Sequence, residues 1–295
     1  MDSKELIIIT GPTGSGKTSL AIEVALHYNT QIINCDSRQV YTELGVAVAK
    51  PSQEELNKVK HHFISSHSIY EEALSAGEFA RLARAQLDVL FETKDKVVLC
   101  GGTGFYISAL LNGFTVQDGA DKKDIRNRVD ELYKNKGLDG LVRELGAKEP
   151  SVLDGLDLNN PARVRRALEI CLANQKSKMP KNNPLPYEYA LFVLSPEREL
   201  LYQRINDRVD EMVKNGLEEE ARQLHKSMPE ALKTVGYSEM FDYFDGLLSR
   251  EEAIAKIKQH TRNYAKRQLT YARHQFRDAI WLDPISAKDT IFATK

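Results

Sequence analysis

The sequence is poor in several features that would place it in a specialised class. Three of its 295 residues are cysteines, Cys35, Cys100 and Cys171, far apart and without metal-ligand spacing. A disulfide framework or zinc module is thereby excluded, and the thiols are expected as buried side chains in a reducing compartment. No apolar run approaches the ~18 residues that a membrane-crossing helix needs. The start, Met1-Asp2-Ser3-Lys4-Glu5, lacks the basic and apolar stretches of a secretory leader. The expected location is the cytoplasm, away from any membrane. Net charge is nearly absent, since 41 Lys and Arg face 42 Asp and Glu, so global charge argues for no polyanionic partner. No internal repeat is evident. The remaining composition, 42% apolar and 28% charged, suits one large domain or a core with a smaller lobe.

Against this plain background one stretch stands out. Gly11-Pro12-Thr13-Gly14-Ser15-Gly16-Lys17-Thr18 follows the apolar run Leu6–Ile9 and matches G-x-x-x-x-G-K-[ST]. Glycines there let successive backbone N–H groups turn inward, and the helix that follows presents its positive end to an anion. Lys17 adds a point charge, and the Thr18 hydroxyl is placed to ligate Mg²⁺. The bland alternative is a glycine-rich turn between a strand and a helix. The strand-like run before the loop and the amphipathic segment Ser19–Tyr28 after it favour phosphate binding.

Local charge says more than the total. Between Ala253 and Arg277 there are seven Lys or Arg residues and no Asp or Glu. On a helix, Arg262, Lys266, Arg273 and Arg277 fall within roughly 60° of one another. Ala253, Ile257, Tyr264, Tyr271 and Ala272 occupy another face, suited to a core. A basic face is often no more than solvated surface, but a stretch with no balancing acid points to a polyanion.

Strand and helix patterns alternate through the first third. Leu6–Ile9, Gln31–Cys35 and Lys96–Cys100 read as strands, with a helix over Gly77–Phe91 and another after Gly101-Gly102-Thr103-Gly104. Such alternation builds a parallel sheet covered on both faces, a P-loop NTPase-like α/β core, whose ligands collect at the carboxyl ends of the strands. From about residue 116 the texture changes to charged helical patterns, Lys123–Lys136 and Ala162–Asn174, and then to the exposed loop Lys176–Pro186. A strand returns at Tyr189–Leu194, then helices until a last strand at Ala279–Leu282. The organisation read from this is a catalytic core, 1–115 plus 187–295, with a helical insertion at 116–186.

The rim of the sheet carries candidate chemistry. Asp36 stands where the second strand stops, as an N-cap or an Mg²⁺ ligand, with Ser37 assisting. The third strand ends in no carboxylate, so the usual acidic partner of a nucleotide hydrolase is missing there. Arg204 and Arg208 lie four apart on one helix and could clamp phosphate oxygens, or pair with Asp207, Asp210 or Glu211 instead.

Taken in order, GPTGSGKT, DSRQVY (36–41), Ala49-Lys50-Pro51, His61-His62, GGTGFY (101–106), VGYSEM (235–240) and TRNYAKRQLTYAR (261–273) resemble the tRNA dimethylallyltransferases over nearly the whole chain. Each piece alone is weak, whereas the ordered set is specific. The resemblance implies transfer of a dimethylallyl group from dimethylallyl diphosphate to N6 of the adenine 3′ to the anticodon, position 37. It implies Mg²⁺, a P-loop core, and an inserted helical domain on the anticodon stem-loop. Lys17, Thr18 and Arg208 then face the leaving diphosphate, Asp36 accepts the proton of the amine, and Thr103 approaches the reacting groups. Ser37, Arg38 and Gln39 match residues near the extruded base. Further tRNA contacts are expected from Arg126, from the Asn160–Arg166 segment with Arg163 and Arg166, and from Arg262 and Lys266. A bacterial type is expected, because the Cys/His zinc element of eukaryotic members is not in the sequence, and the expected state is a monomer.

Two departures accompany the resemblance. The family commonly reads D-I-G-T-A-K-P where Gly45-Val46-Ala47-Val48-Ala49-Lys50-Pro51 stands, so an Asp and a Thr are missing. Ser65 and Ser66 follow the His-His pair where an acidic residue is usual. Three other readings stay open on the residues: a small-molecule kinase using Asp36 as base for a hydroxyl, an adenylate isopentenyltransferase acting on free nucleotide, and a non-catalytic RNA-binding relative. A labelled prenyl donor offered to tRNA, AMP or ATP separates them.

Overall fold

The computed structural model describes residues 4–113, 121–174, 183–226 and 232–293, with backbone alone at 121–123 and 174. Contacts divide the chain into two compact units, Met1–Gly113 with Asn183–Lys295, and Phe114–Asn182.

The first unit is built in chain order from β1 (Glu5–Thr10), α1 (Lys17–His27), β2 (Ile32–Asn34), α2 (Gln53–Lys58), β3 (His61–His62), α3 (Ala76–Phe91), β4 (Lys96–Cys100) and α4 (Gly104–Asn112). The second unit supplies α5 (Asp121–Lys148) and α6 (Pro161–Asn174). The first then resumes with β5 (Glu188–Leu194), α7 (Arg198–Lys214), α8 (Leu217–Leu224), α9 (Tyr237–Phe244), α10 (Arg250–Gln275), β6 (Ile280–Leu282) and α11 (Ala287–Ala293).

The strands form a six-stranded sheet in the order β3-β2-β4-β1-β5-β6, every pairing parallel. Parallel sheets need both faces covered, and β1 shows this directly. Its Leu6 and Ile8 enter one apolar cluster with α3, α4 and α10, while Ile7 and Ile9 enter another with α1 and α11. All four side chains are buried, as are Cys35 and Cys100 at the ends of β2 and β4. Register places Ile9 beside Cys100 and Asn34 beside Cys100, so the segments leaving β1, β2 and β4 emerge on one rim.

Local signals set several helix starts. Ser75 accepts from the Glu78 N–H ahead of α3, and Ser249 forms a reciprocal capping box with Glu252 ahead of α10. The two-residue strand β3 is too short for an alternating pattern to reveal, and the sequence marks it only as a His-His motif. In the second unit α5 breaks at Gly137, which takes φ 62° and starts a new helical stretch. Val129, Leu141, Leu145, Val164, Leu168, Cys171 and Leu172 make that unit's own core. Its described residues include no strand. Of the loop expected over Lys176–Pro186, residues 176–182 lie outside the described residues. No described helix is long and apolar enough to cross a membrane.

Candidate active site at the carboxyl rim

β1 delivers the glycine-rich loop. Gly11, Gly14 and Gly16 hold φ of 151°, 79° and 88°, and the Ser15 N–H closes a turn onto the Pro12 carbonyl at 3.2 Å. Helix α1 begins at Lys17. The Lys17 ammonium folds back to donate to the Pro12 carbonyl at 3.3 Å. Burial pushes its pKa below the ordinary lysine value, with Cys100 and Asp36 opposing and the Arg208 charge adding to the fall. Ser15 Oγ is fully buried and has no hydrogen-bond partner among the described residues. An orphaned hydroxyl inside a loop of this kind is a donor for an anion seated in it.

Arg208 reaches the same loop from α7. Its Nη1 donates to Thr13 Oγ1 at 3.4 Å and its Nη2 to the Ala49 carbonyl at 3.1 Å. Burial lowers its pKa as well, with Asp36 and Glu55 opposing. Arg204 is exposed and takes no place in this cluster. The competing ion pairs on α7 form elsewhere, Asp210 with Lys258 at 2.6 Å and Glu211 with Lys214 at 2.8 Å. The loop thus gathers two partly buried cations whose desolvation an anion would relieve.

Asp36 follows β2 and is partly buried. Its Oδ1 accepts from the Arg38 N–H at 2.9 Å and the Gln39 N–H at 3.3 Å, so the carboxylate also caps the turn that carries Ser37, Arg38 and Gln39. Thr103 locks this turn to the end of β4. Its hydroxyl accepts from the Ser37 N–H at 2.9 Å and donates to Ser37 Oγ at 3.3 Å, while its own N–H donates to the Cys35 carbonyl at 3.2 Å. Gln39 Nε2 donates to the carbonyls of Val48 and Ala49 at 3.2 and 3.0 Å. Asp36, Thr103, Arg208 and the loop therefore share one rim.

A residue that the motifs do not single out ties the rim together. Gln268 of α10 accepts from the Thr13 N–H at 2.9 Å and donates to the Gly102 carbonyl at 2.9 Å. Gly102 makes this approach possible, since a Cβ there would lie 2.2 Å from Gln268 Nε2. The only sequence signal was its place inside the 261–273 segment. Gln268→Ala leaves the Thr13 N–H without its partner and should lower stability by about 1–2 kcal/mol. It should also weaken inorganic diphosphate binding, read by melting with and without that ligand. A variant that melts early but gains the full diphosphate stabilisation would reduce Gln268 to a packing residue.

Between the two loops and α10 lies a cavity of about 220 Å³, lined in part by Gly11, Thr103, Val193, Tyr264, Leu269 and Tyr271. Here the helical face expected from the sequence needs correction. The buried line of α10 passes from Ala253 and Ile257 to Ala265 and Ala272. Tyr264 is 37% exposed at the margin and lines the cavity rather than the core. The line drifts because Ala265 packs on Leu201 and Ile205 of α7, whereas Ile257 and Ala272 enter the main cluster of the sheet.

The basic face is likewise uneven. Lys266 is exposed and lines an open surface groove with Asn263, Arg267, Thr270 and His274. Arg262 instead donates to Asn206 Oδ1 at 2.6 Å and lies over the Tyr202 ring, while Arg273 lies over Trp281. Arg277 falls beyond the last residue of the helix, Gln275, so it does not extend the helical stripe. In the second unit Arg126 is exposed. Arg163 and Arg166 are exposed and pair with Asp157 at 3.8 Å and Glu169 at 2.9 Å. Asn160 caps α6 by accepting from the Ala162 and Arg163 N–H groups at 3.1 and 3.3 Å.

A parallel sheet with a phosphate loop after its central strand, a rim carboxylate after β2 and no acid closing β4 defines a P-loop protein outside the usual nucleotide hydrolases. The family model for IPP transferase matches residues 39–275, and the chain belongs to that family. It is 40% identical over 292 residues to a tRNA dimethylallyltransferase of Flavobacterium johnsoniae, covering 95% of this chain and 93% of the relative. It is 41% identical over 274 residues to that of Cytophaga hutchinsonii, covering 91% and 90%. Among solved structures, the full-length tRNA isopentenylpyrophosphate transferase of Bacillus halodurans superposes with a TM-score of 0.71 at 33% identity, covering 98% of this chain and 96% of that one. A eukaryotic dimethylallyltransferase acting on tRNA superposes with a TM-score of 0.80 at 25% identity, covering 98% and 76%.

Proposed function

We propose that this chain transfers the dimethylallyl group of dimethylallyl diphosphate to N6 of adenine 37 in tRNA, releasing diphosphate. The observation that carries the reading is the pairing, on one rim, of a phosphate loop that carries Lys17 and is reached by Arg208 of α7 with the carboxylate of Asp36 and its Thr103 brace. As the allylic C–O bond breaks, charge builds on the leaving diphosphate. Lys17, Arg208, the loop amides and the Ser15 hydroxyl are disposed to receive it. The adenine amine forms the new N–C bond, and Asp36 accepts the proton that nitrogen sheds. The apolar wall given by Val193, Leu269 and Ala272 suits the allyl chain. Flipping the base costs little in a loop that is already single-stranded.

Thr18, the second residue of α1, would hold Mg²⁺ through its hydroxyl together with the oxygens of a bound diphosphate. No cluster of three or more acidic, His or Cys side chains that could hold a metal is found among the described residues, and Mg²⁺ is commonly held through substrate phosphates and water. When bound, it would neutralise part of the leaving group's charge. The partner in this reading is the anticodon stem-loop, approached by Ser37, Arg38 and Gln39 and by the second unit. The setting is a cytoplasmic monomer.

The test is direct. Labelled dimethylallyl diphosphate is offered with unmodified tRNA, AMP or ATP, and label in tRNA alone is expected. Label in a free nucleotide would make the protein an adenylate prenyltransferase, and label in none would end the reading.

The groove on α10 adds a separable expectation. Lys266→Gln with Arg267→Gln should raise the apparent KM for tRNA. Each lost phosphate contact should flatten the salt dependence of binding by about one unit or less, without changing which tRNA is chosen. Melting temperatures should hold, since both side chains are exposed. An unaltered salt slope in folded variants would take this face out of the RNA surface.

A further inference from the structure

We propose that Glu220 of α8, working with Tyr237, is a positioning residue for transfer: it holds the Gly45–Lys50 loop so that the Ala49 carbonyl fixes Arg208 against the phosphate loop. The inference rests on the function proposed above and adds to it a residue that touches no substrate.

The Glu220 carboxylate is surrounded by donors from an otherwise irregular segment. Oε2 accepts from the Gly45 and Val46 N–H groups at 2.9 and 2.8 Å. Oε1 accepts from the Ala47 N–H at 3.1 Å and the Tyr237 hydroxyl at 2.6 Å. Three consecutive amides turned onto one carboxylate form an anion nest, here occupied by the protein's own side chain. Tyr237 is fully buried, and burial together with the adjoining carboxylate drives its phenol pKa far above the ordinary value. It therefore stays a donor.

The far side of the same loop faces the site. With the amides committed to Glu220, the carbonyls of Val48 and Ala49 turn the other way and receive Gln39 and Arg208. Ala49 sits at φ 47°, a conformation a non-glycine residue keeps only when its surroundings hold it there. The Ala49 N–H closes a turn on the Val46 carbonyl at 3.0 Å, and Lys50 anchors the loop's end on the Tyr41 carbonyl and Ser65 Oγ at 2.5 and 2.7 Å. Arg208 is a rigid planar fork, so fixing one nitrogen on Ala49 and another on Thr13 fixes where its remaining donors point. Glu220 thus reaches the catalytic cation through the backbone of one short loop. A purely structural role would not require that loop to end on Arg208.

The experiment compares wild type, Glu220→Gln, Arg208→Gln and the double variant for kcat, for KM toward both substrates and for melting. Glu220→Gln keeps size but turns an NH₂ group toward donors. We expect kcat to fall about 10- to 100-fold, the cost of a misplaced catalytic group, with the KM for tRNA changed less than about threefold. In the Arg208→Gln background the same change should cost less than about threefold, because the group it positions is gone. Tyr237→Phe removes one of the four donors and should lower kcat by about threefold. It carries the test if Glu220→Gln does not fold. Inorganic diphosphate affinity, measured by calorimetry, should drop about 10-fold in Glu220→Gln and reads the coupling without any transfer reaction. A folded Glu220→Gln or Tyr237→Phe with unchanged kcat and diphosphate affinity overturns the inference, and so do fully additive losses with Arg208→Gln. A wild-type protein that modifies no tRNA would strike the proposed function instead, leaving the diphosphate measurement to decide this one.

Discussion

Asp36→Asn should leave tRNA binding near normal while lowering transfer by ~10²–10⁴-fold, the range for loss of a general base. Asparagine preserves the oxygen that accepts from the Arg38 and Gln39 N–H groups, so the turn carrying Ser37 to Gln39 should keep its shape. What it cannot do is take up the proton of the prenylated amine. Single-turnover transfer and tRNA affinity, measured on the same preparation, separate the two roles of this carboxylate. If the variant binds tRNA poorly yet transfers normally at saturation, Asp36 is a recognition residue whose main work is to cap the turn, and the proton goes elsewhere.

Lys17→Ala is the second large effect. The ammonium is partly buried beside a second cation, and desolvation already disfavours its charge, so the loop is poised for an anion. Removing it should lower turnover roughly 10²-fold or more, the scale of one preorganised electrostatic contact to a leaving group. Diphosphate affinity should fall in parallel. Because Lys17 also donates to the Pro12 carbonyl, melting in the absence of ligand serves as the control for a collapsed loop. Full turnover at saturating donor would show that Lys17 stands apart from the bond-breaking step.

The parts of the site that could be read in the sequence are those made from contiguous residues. The phosphate loop has its glycines, lysine and threonine in one run, and Asp36 sits where a strand visibly stops. Arg208 could be chosen over Arg204 only through the family resemblance, since both lie on the same helix; the structure turns the first into the loop and leaves the second in solvent. Gln268 and Glu220 were invisible for a common reason. Each binds backbone groups of a remote segment, and neither periodicity nor charge pattern encodes which amide a side chain will meet. The helical wheel of α10 misled at Tyr264 and Arg277 because it assumes one straight face, whereas the buried line drifts and the helix ends at Gln275. The Gly45–Lys50 segment looked deficient for want of an Asp and a Thr, yet its contribution to the rim comes from carbonyls that any side chain would leave in place.

The bridge from Thr13 to Gln268 also bears on how the protein comes into being. A chain emerging from the ribosome presents the phosphate loop within its first turns of synthesis, but the glutamine that clasps it is 255 positions later. Native contacts spanning such a separation are slow to form, and domains grow from the N-terminus outward during translation. Until α10 has emerged, the nascent loop has neither its clasp nor, until α7, its arginine. The half-made chain is therefore expected to be a weak binder of diphosphate, and competence should arrive late and abruptly. Stalled nascent chains of increasing length, probed with diphosphate, should gain binding only after residue 268 clears the exit tunnel.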